Sequence, residues 1–284
     1  MHSLDVSGAI LWSNISKRTS RTALSNNLDA LGLGWAAPAP RTPYDALKTS
    51  LSHVFKGETT LIRPLEDKDG FVVVDEDRGH RDNRYATRYT AKLPTENTTA
   101  PSIDPFNQHG INVLAEYDRS LQECGPTAVT GSLVKIINTC GGTRLRDHGG
   151  VYWIPGDEID KWHDIKQAVL TSASIGFVHH LAIVSTGYDP ESAEAIICGL
   201  TEEIESDIRE LTSELDSEDG LGKRALDARL EGLTAKRMKV VRYEGIFNAG
   251  LNTLHDKLEV IKQSEAFATL LSAADSDEPS VFAH

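Results

Sequence analysis

Arg144, Arg146, His148 and Trp153 are the residues of this 284-residue chain whose types and spacing best suit contact chemistry. They lie in residues 143–148 and 151–154, two short runs flanking Gly149-Gly150, a pair suited to a turn with positive φ at both positions. Strand alternation through such a turn pairs His148 with Val151, Arg146 with Trp153 and Leu145 with Ile154. One face then presents Arg144, Arg146, His148 and Trp153, which together suit a phosphate and the flat surface of a sugar or base. Lys135, on the preceding helix, adds one more cation. Helix, hairpin and helix in this order are winged-helix-like in outline, so DNA contact is the reading with the most consequence. The plainer alternative is a structural hairpin with a solvated arginine face.

Asp75 and Asp77 follow three valines and share a strand face, as the carboxylates of metal-dependent hydrolases often do. Neighbouring His80 and Asp82 fit that picture, whereas Arg78, Arg81 and Arg84 fit a charged hairpin turn instead. No second carboxylate motif joins them, so they are weak candidates and no metal is expected. His179 and His180 are adjacent in an apolar run, which sends their rings to opposite faces of a strand and away from a shared ion. Gly220-Leu221-Gly222-Lys223 lacks the earlier glycine and the following hydroxyl residue of a phosphate loop. No cofactor is expected, and nothing places a nucleophile beside a base.

These residues need elements to position them. A formal charge of −13 argues against a generally DNA-coating surface and leaves any basic patch to act locally. Cys124, Cys140 and Cys198 are odd in number and at no ligand spacing, which fits reduced thiols in the cytoplasm. The first residues carry no signal-peptide pattern and no apolar run is long enough for a membrane span, so no membrane partner is expected. Apolar spacing predicts helices over 20–31 and 42–54, the second capped by Thr42 with Pro43 at its first position. Strands are predicted over 59–65, 70–74 and 85–93, followed by a polar linker over 94–105. Residues 111–117 fit a strand or a helix equally. Helices follow over 127–139 and 157–170, and an apolar strand over 175–184.

The C-terminal third is the most patterned. Residues 191–219 are densely acidic and 223–242 mainly basic, each with apolar positions every three or four residues. That predicts a projecting antiparallel helical hairpin of coiled-coil type, with residue 216 near 223 and 191 near 248. Leu226, Leu230, Leu233 and Val240 form its seam. A second helix running to 272 overruns the first, which leaves Leu251, Leu254, Leu258 and Ile261 to find another partner on the body or on a second subunit. Gly245 and Gly250 mark a place to bend.

The run Gly150-Val151-Tyr152-Trp153-Ile154-Pro155 after a helix, with a long helical hairpin beyond, resembles uncharacterised domain families of bacteria and their phages over residues 108–272. The resemblance implies a phage or mobile-element setting and carries over no activity from those families. The expected fold class is α+β. Residues 1–100 form a sheet-and-helix region, 101–187 a helix–hairpin–helix–strand region, 188–273 the charged hairpin and 274–284 a frayed acidic tail. The expected function is non-enzymatic assembly or partner binding through the charged helical hairpin, with a second copy or another protein as the partner. The alternatives are a DNA-binding accessory protein and a hydrolase around Asp75 and Asp77.

Overall fold

The computed structural model describes residues 6–57, 59–78, 83–146, 150–187, 189–215, 223–248 and 250–262. The chain opens with β1 (Val6–Asn14), β2 (Thr19–Ser20), α1 (Arg21–Ala30) and α2 (Pro43–Val54). Four strands follow: β3 (Thr60–Pro64), β4 (Gly70–Arg78), β5 (Asn83–Lys92) and β6 (Ser102–Asp104). Then come α3 (Gln108–Gln122), β7 (Glu123–Cys124), α4 (Pro126–Thr139), β8 (Thr143–Arg144) and β9 (Val151–Pro155). The remainder is α5 (Ile159–Leu170), β10 (His180–Gly187), α6 (Pro190–Leu215), α7 (Lys223–Phe247) and α8 (Asn252–Lys262). The class is α+β, with strands in sheets ordered β10-β1-β9-β8, β2-β7 and β3-β4-β5-β6.

Two compact units divide the chain, and both are assembled from distant segments. One comprises residues 14–134 and 164–180. Its core lies between the β3–β6 sheet and the helices α2 and α3, where Leu47, Leu51, Phe71, Val73, Tyr89 and Val113 are buried. Capping sets these helices: Thr42 Oγ1 accepts from the Asp45 amide at 3.1 Å, and Asn107 Oδ1 accepts from the amides of His109 and Gly110. Residues 108–122 thus settle as helix, because the Asn107 cap starts a face that buries Val113 and Tyr117. Residues 94–105, expected as a linker, carry β6, which pairs antiparallel with β5. The β4–β5 hairpin runs to Arg78 and Asn83, longer than the sequence pattern indicated, because charged residues on an exposed face still complete the ladder.

The other unit comprises residues 1–13, 135–163 and 181–284. Here β1 pairs antiparallel with β9, with Ile10 opposite Trp153 and Gly8 opposite Pro155. A Cβ at Gly8 would sit 2.2 Å from the Ile154 carbonyl oxygen, so this strand crossing requires glycine. The sheet packs against α6, α7 and α8 around Trp153, Ile196, Leu200, Val240, Tyr243 and Leu254. Strand β10 starts five residues later than expected. Residues 174–177 form a turn closed by the Phe177 amide on the Ser174 carbonyl at 2.9 Å, with Gly176 at φ +82°.

The C-terminal helices depart furthest from expectation. The second helix does not run on past 247: Asn248 adopts φ +47° and the chain reverses into α8. Glu244 anchors the reversal, its carboxylate accepting from the Leu251 amide at 2.8 Å and meeting His255 Nε2 at 3.1 Å. Those hydrogen bonds, the amide first, hold the Glu244 carboxyl below its usual range. Packed with α6 and α7, α8 makes a three-helix bundle that buries Leu251, Leu254 and Leu258 within one chain. Burial of each leucine contributes about 1.5–3 kcal/mol, which outweighs the cost of ordering the short reversal. Opposite charges do link the helices, through Arg229 with Glu214, Lys236 with Asp207 at 3.0 Å, and Lys257 with Glu205. Asp207 therefore faces Lys236, about one helical turn from the Gly232 that the expected register places there.

Candidate functional site

Helix α7 reads the turn between α4 and β8 with three side chains spaced to share a face. Lys239 Nζ donates to the Gly142 carbonyl at 2.7 Å and Arg242 Nη1 to the Cys140 carbonyl at 2.7 Å. The Tyr243 hydroxyl lies 3.0 Å from the Gly141 carbonyl and 2.8 Å from Thr143 Oγ1. Carbonyls at a helix C-terminus lack partners in their own helix, and cations suit the negative end of the dipole. Lys239 is nearly buried and also donates to Glu203 at 2.6 Å, while Arg242 forks onto Asp157 at 2.6 and 2.8 Å. Burial lowers the proton affinity of Lys239, and Glu203 opposes that shift.

In this cluster the side chains hold the carbonyls of the α4–β8 turn. Burial raises the Tyr243 phenol well above its ordinary range and pushes the Cys140 thiol up to about 11. Burial likewise raises Cys124, and the Glu202 carboxylate raises Cys198. Every cysteine therefore keeps its proton at neutral pH.

The hairpin face expected for nucleic acid does not assemble. Thr143, not Arg146, lies opposite Trp153, and Arg144 lies opposite Tyr152. Trp153 has no exposed surface: it packs on Tyr243 and Phe247, and its indole N–H donates to Thr186 Oγ1 at 3.2 Å. The physical reason is burial. A strand roofed by α6 and α7 needs a small, hydrogen-bonded threonine beside Trp153, where an arginine would lose its hydration. Arg144, Arg146 and Lys135 are exposed, and the Arg144 amide faces the Glu203 carboxylate at 3.4 Å. His148 lies outside the described residues.

The remaining expected residues are dispersed. Asp75 is exposed within the β4–β5 ladder, opposite Ala86 and 3.6 Å from Arg88, which pairs its carboxylate with a cation. The Asp77 side chain, with His80 and Asp82, lies outside the described residues, and among the described residues no cluster suited to a metal occurs. Leu233 is half-buried and Val240 fully buried in the bundle, whereas the side chains of Leu226, Leu230 and Ile261 lie outside the described set. Leu251, Leu254 and Leu258 are sealed inside the bundle and offer nothing to a second molecule. His179 lies just before β10 and is buried, and His180, the first residue of β10, is exposed.

What the bundle leaves outward is a second stripe on α7. Thr234, Met238, Val241 and Gly245 are exposed, Met238 at 64% and Val241 at 48%. They follow a 4-3-4 spacing, and Val240, Tyr243 and Phe247 are buried at a 3-4 spacing on the opposite side. The stripe borders a cleft of roughly 1050 Å³ whose lining includes Ala235, Met238 and Val241 together with the charged Glu203, Asp207 and Arg242. Sequence reasoning missed this stripe because the basic residues of α7 dominate its pattern; the spacing of Met238 and Val241 was the available signal.

With this architecture, an α+β protein with a helical bundle set on a small sheet, the chain belongs to a family of unknown function (DUF6744), whose model matches residues 8–276. No curated protein and no solved structure matches it. Among the described residues no helix is long and apolar enough to cross a membrane.

Proposed function

We propose that this chain is a non-enzymatic assembly or partner-binding protein that acts through the outward face of α7. The observation that carries this reading is the exposure of Met238 and Val241 at helical spacing on a helix whose opposite face is already buried. A helix apolar on both sides is suited to packing on both sides. Covering what is exposed of the two side chains would contribute about 0.7–2 kcal/mol each, enough to centre a small interface. The setting we infer is one of phage or mobile elements, as the resemblance of the 150–155 segment implies, and the cytoplasm, as three cysteines at no ligand spacing suggest.

The test compares the full chain with Met238→Glu/Val241→Glu in affinity capture from its host, after circular dichroism shows equal helicity. Protein recovered by the parent and lost with the variant supports the reading; identical recovery by both overturns it. A labelled duplex at about 50 mM salt and protein near about 10 μM provides the nucleic-acid arm. Binding there that disappears in Arg144→Ala/Arg146→Ala would replace the reading with DNA contact.

A further inference from the structure

We propose that the outward face of α7 pairs with a second copy of this chain, antiparallel, so that Met238 of one copy meets Val241 of the other and Arg237 meets Glu244. The inference rests on the reading of α7 as a binding surface and names its occupant. Thr234, Met238, Val241 and Gly245 lie on one seam at about 100° per residue. Arg237 and Glu244 border one side of that seam, and Ala235 and Arg242 border the other. Residues flanking such a seam set the orientation of paired helices.

The two orientations differ in which borders meet. Parallel copies set the Arg237 border of one helix against the Arg242 border of the other, so like charges face each other. Antiparallel copies bring identical borders together, and a two-fold axis between positions 238 and 241 sets Arg237 opposite Glu244 twice. Ala235 then lies opposite Arg242, where no like charge opposes it. The charges that take part have capacity to spare. Arg237 reaches Glu259 at 3.4 Å with its side chain 57% exposed, and a guanidinium offers five donors. Glu244 holds the Leu251 amide and His255 on separate oxygens, each of which retains a lone pair. Gly245 and Ala235 are small, which lets the backbones approach.

The size of the contact sets its strength. Residues 231–248 span about 27 Å of helix, and one helix pair of that length buries less than about 1,200 Å² in total, the range of weak association. The pair is therefore a concentration-dependent dimer with a dissociation constant on the order of 10–100 μM.

Sedimentation of the full chain from about 1 to 300 μM should carry the mass from one copy toward two across that range. Met238→Glu/Val241→Glu should stay at one copy throughout, with unchanged helicity. Orientation is read by cysteine cross-linking in a Cys198→Ser background, which removes the exposed native thiol. A mixture of the Met238→Cys and Val241→Cys chains should form disulfide-linked dimer several-fold faster than either chain alone. Faster cross-linking of each chain with itself would overturn the antiparallel pairing, as would a parent chain that stays monomeric at the highest concentration. A monomeric parent whose double glutamate variant still loses a host protein sinks self-pairing and leaves the partner reading standing. A variant that keeps both its mass and every captured protein sinks both.

Discussion

Trp153 and Tyr243 meet edge to face, with ring centroids 5.2 Å apart and planes at 69°. Trp153 belongs to the central part of a sheet and Tyr243 to the helix that roofs it, so this contact converts a would-be DNA wing into a core. The Tyr243 hydroxyl then reaches past the tryptophan to Thr143 on the neighbouring strand. Sheet, turn and bundle are thereby tied at a single aromatic pair.

Removal of that pair should cost more than any surface change. Trp153→Ala is expected to destabilise by about 3–5 kcal/mol. Tyr243→Phe keeps the ring but takes a partner from Thr143 and Gly141, at about 1–2 kcal/mol. Urea unfolding curves of both variants check this. Midpoints equal to that of the parent would mean that the bundle does not pack on the sheet as described.

Leu254→Ala and Leu258→Ala should each cost about 2–5 kcal/mol, because both side chains are sealed within one chain. Their monomer–dimer balance should not change. Melting curves combined with light scattering separate the cases: unchanged melting with altered mass would place these leucines at an interface between copies.

His179 should make the fold acid-sensitive. The backbone amide of Ser16 points at His179 Nδ1 at 3.2 Å, so Nδ1 accepts and the ring proton sits on Nε2, which donates to Thr19 Oγ1 at 3.0 Å. Burial, with a smaller contribution from His180, lowers the affinity of this ring for a proton. Between the lower folded value and the unfolded value of about 6.5, the unfolded chain binds more protons. The stability contributed by neutral His179 is therefore complete above about 6.5 and drains away as pH falls toward the folded value. His179→Gln should flatten the change in unfolding free energy between about pH 7 and 5. A variant with the same pH slope as the parent would remove His179 as its source.

Charge reversal within the bundle should have a modest, salt-dependent effect. Arg229 and Lys236 pair with Glu214 and Asp207 at partly exposed sites. Such pairs are worth about 0.2–1 kcal/mol each, less in high salt. Arg229→Glu/Lys236→Glu should lower the melting temperature more at low salt than at high salt. Equal shifts at both would show that the loss is packing rather than charge.

Much of the secondary structure was legible because its signals are local. Thr42 and Pro43 announce α2, and the acidic and basic stretches announce α6 and α7 as partners of opposite charge. The antiparallel pairing of the runs around Gly149-Gly150 was also readable, but its register was not. The sequence pattern put Arg146 opposite Trp153, and the sheet puts Thr143 there. A register is chosen by what covers the strand face, and the cover here comes from Tyr243, 90 positions later than Trp153. The interaction residues followed the same logic. Leu251, Leu254 and Leu258 looked unpartnered only while α7 was taken to run straight through 248.

By itself the sequence determined the α+β class, most helix starts, the absence of ligand-spaced cysteines and the mutual attraction of α6 and α7, since caps, periodicity and charge act over a few residues. Tertiary structure alone decided that β1 pairs with β9 some 140 positions away, that α8 doubles back through a left-handed Asn248, and that Met238 and Val241 face outward. A 3.6-residue period tells which residues share a helix face, and α7 carries an apolar stripe on two of them. Which stripe is buried depends on where the sheet and α8 lie, and that follows from burial summed over the whole unit.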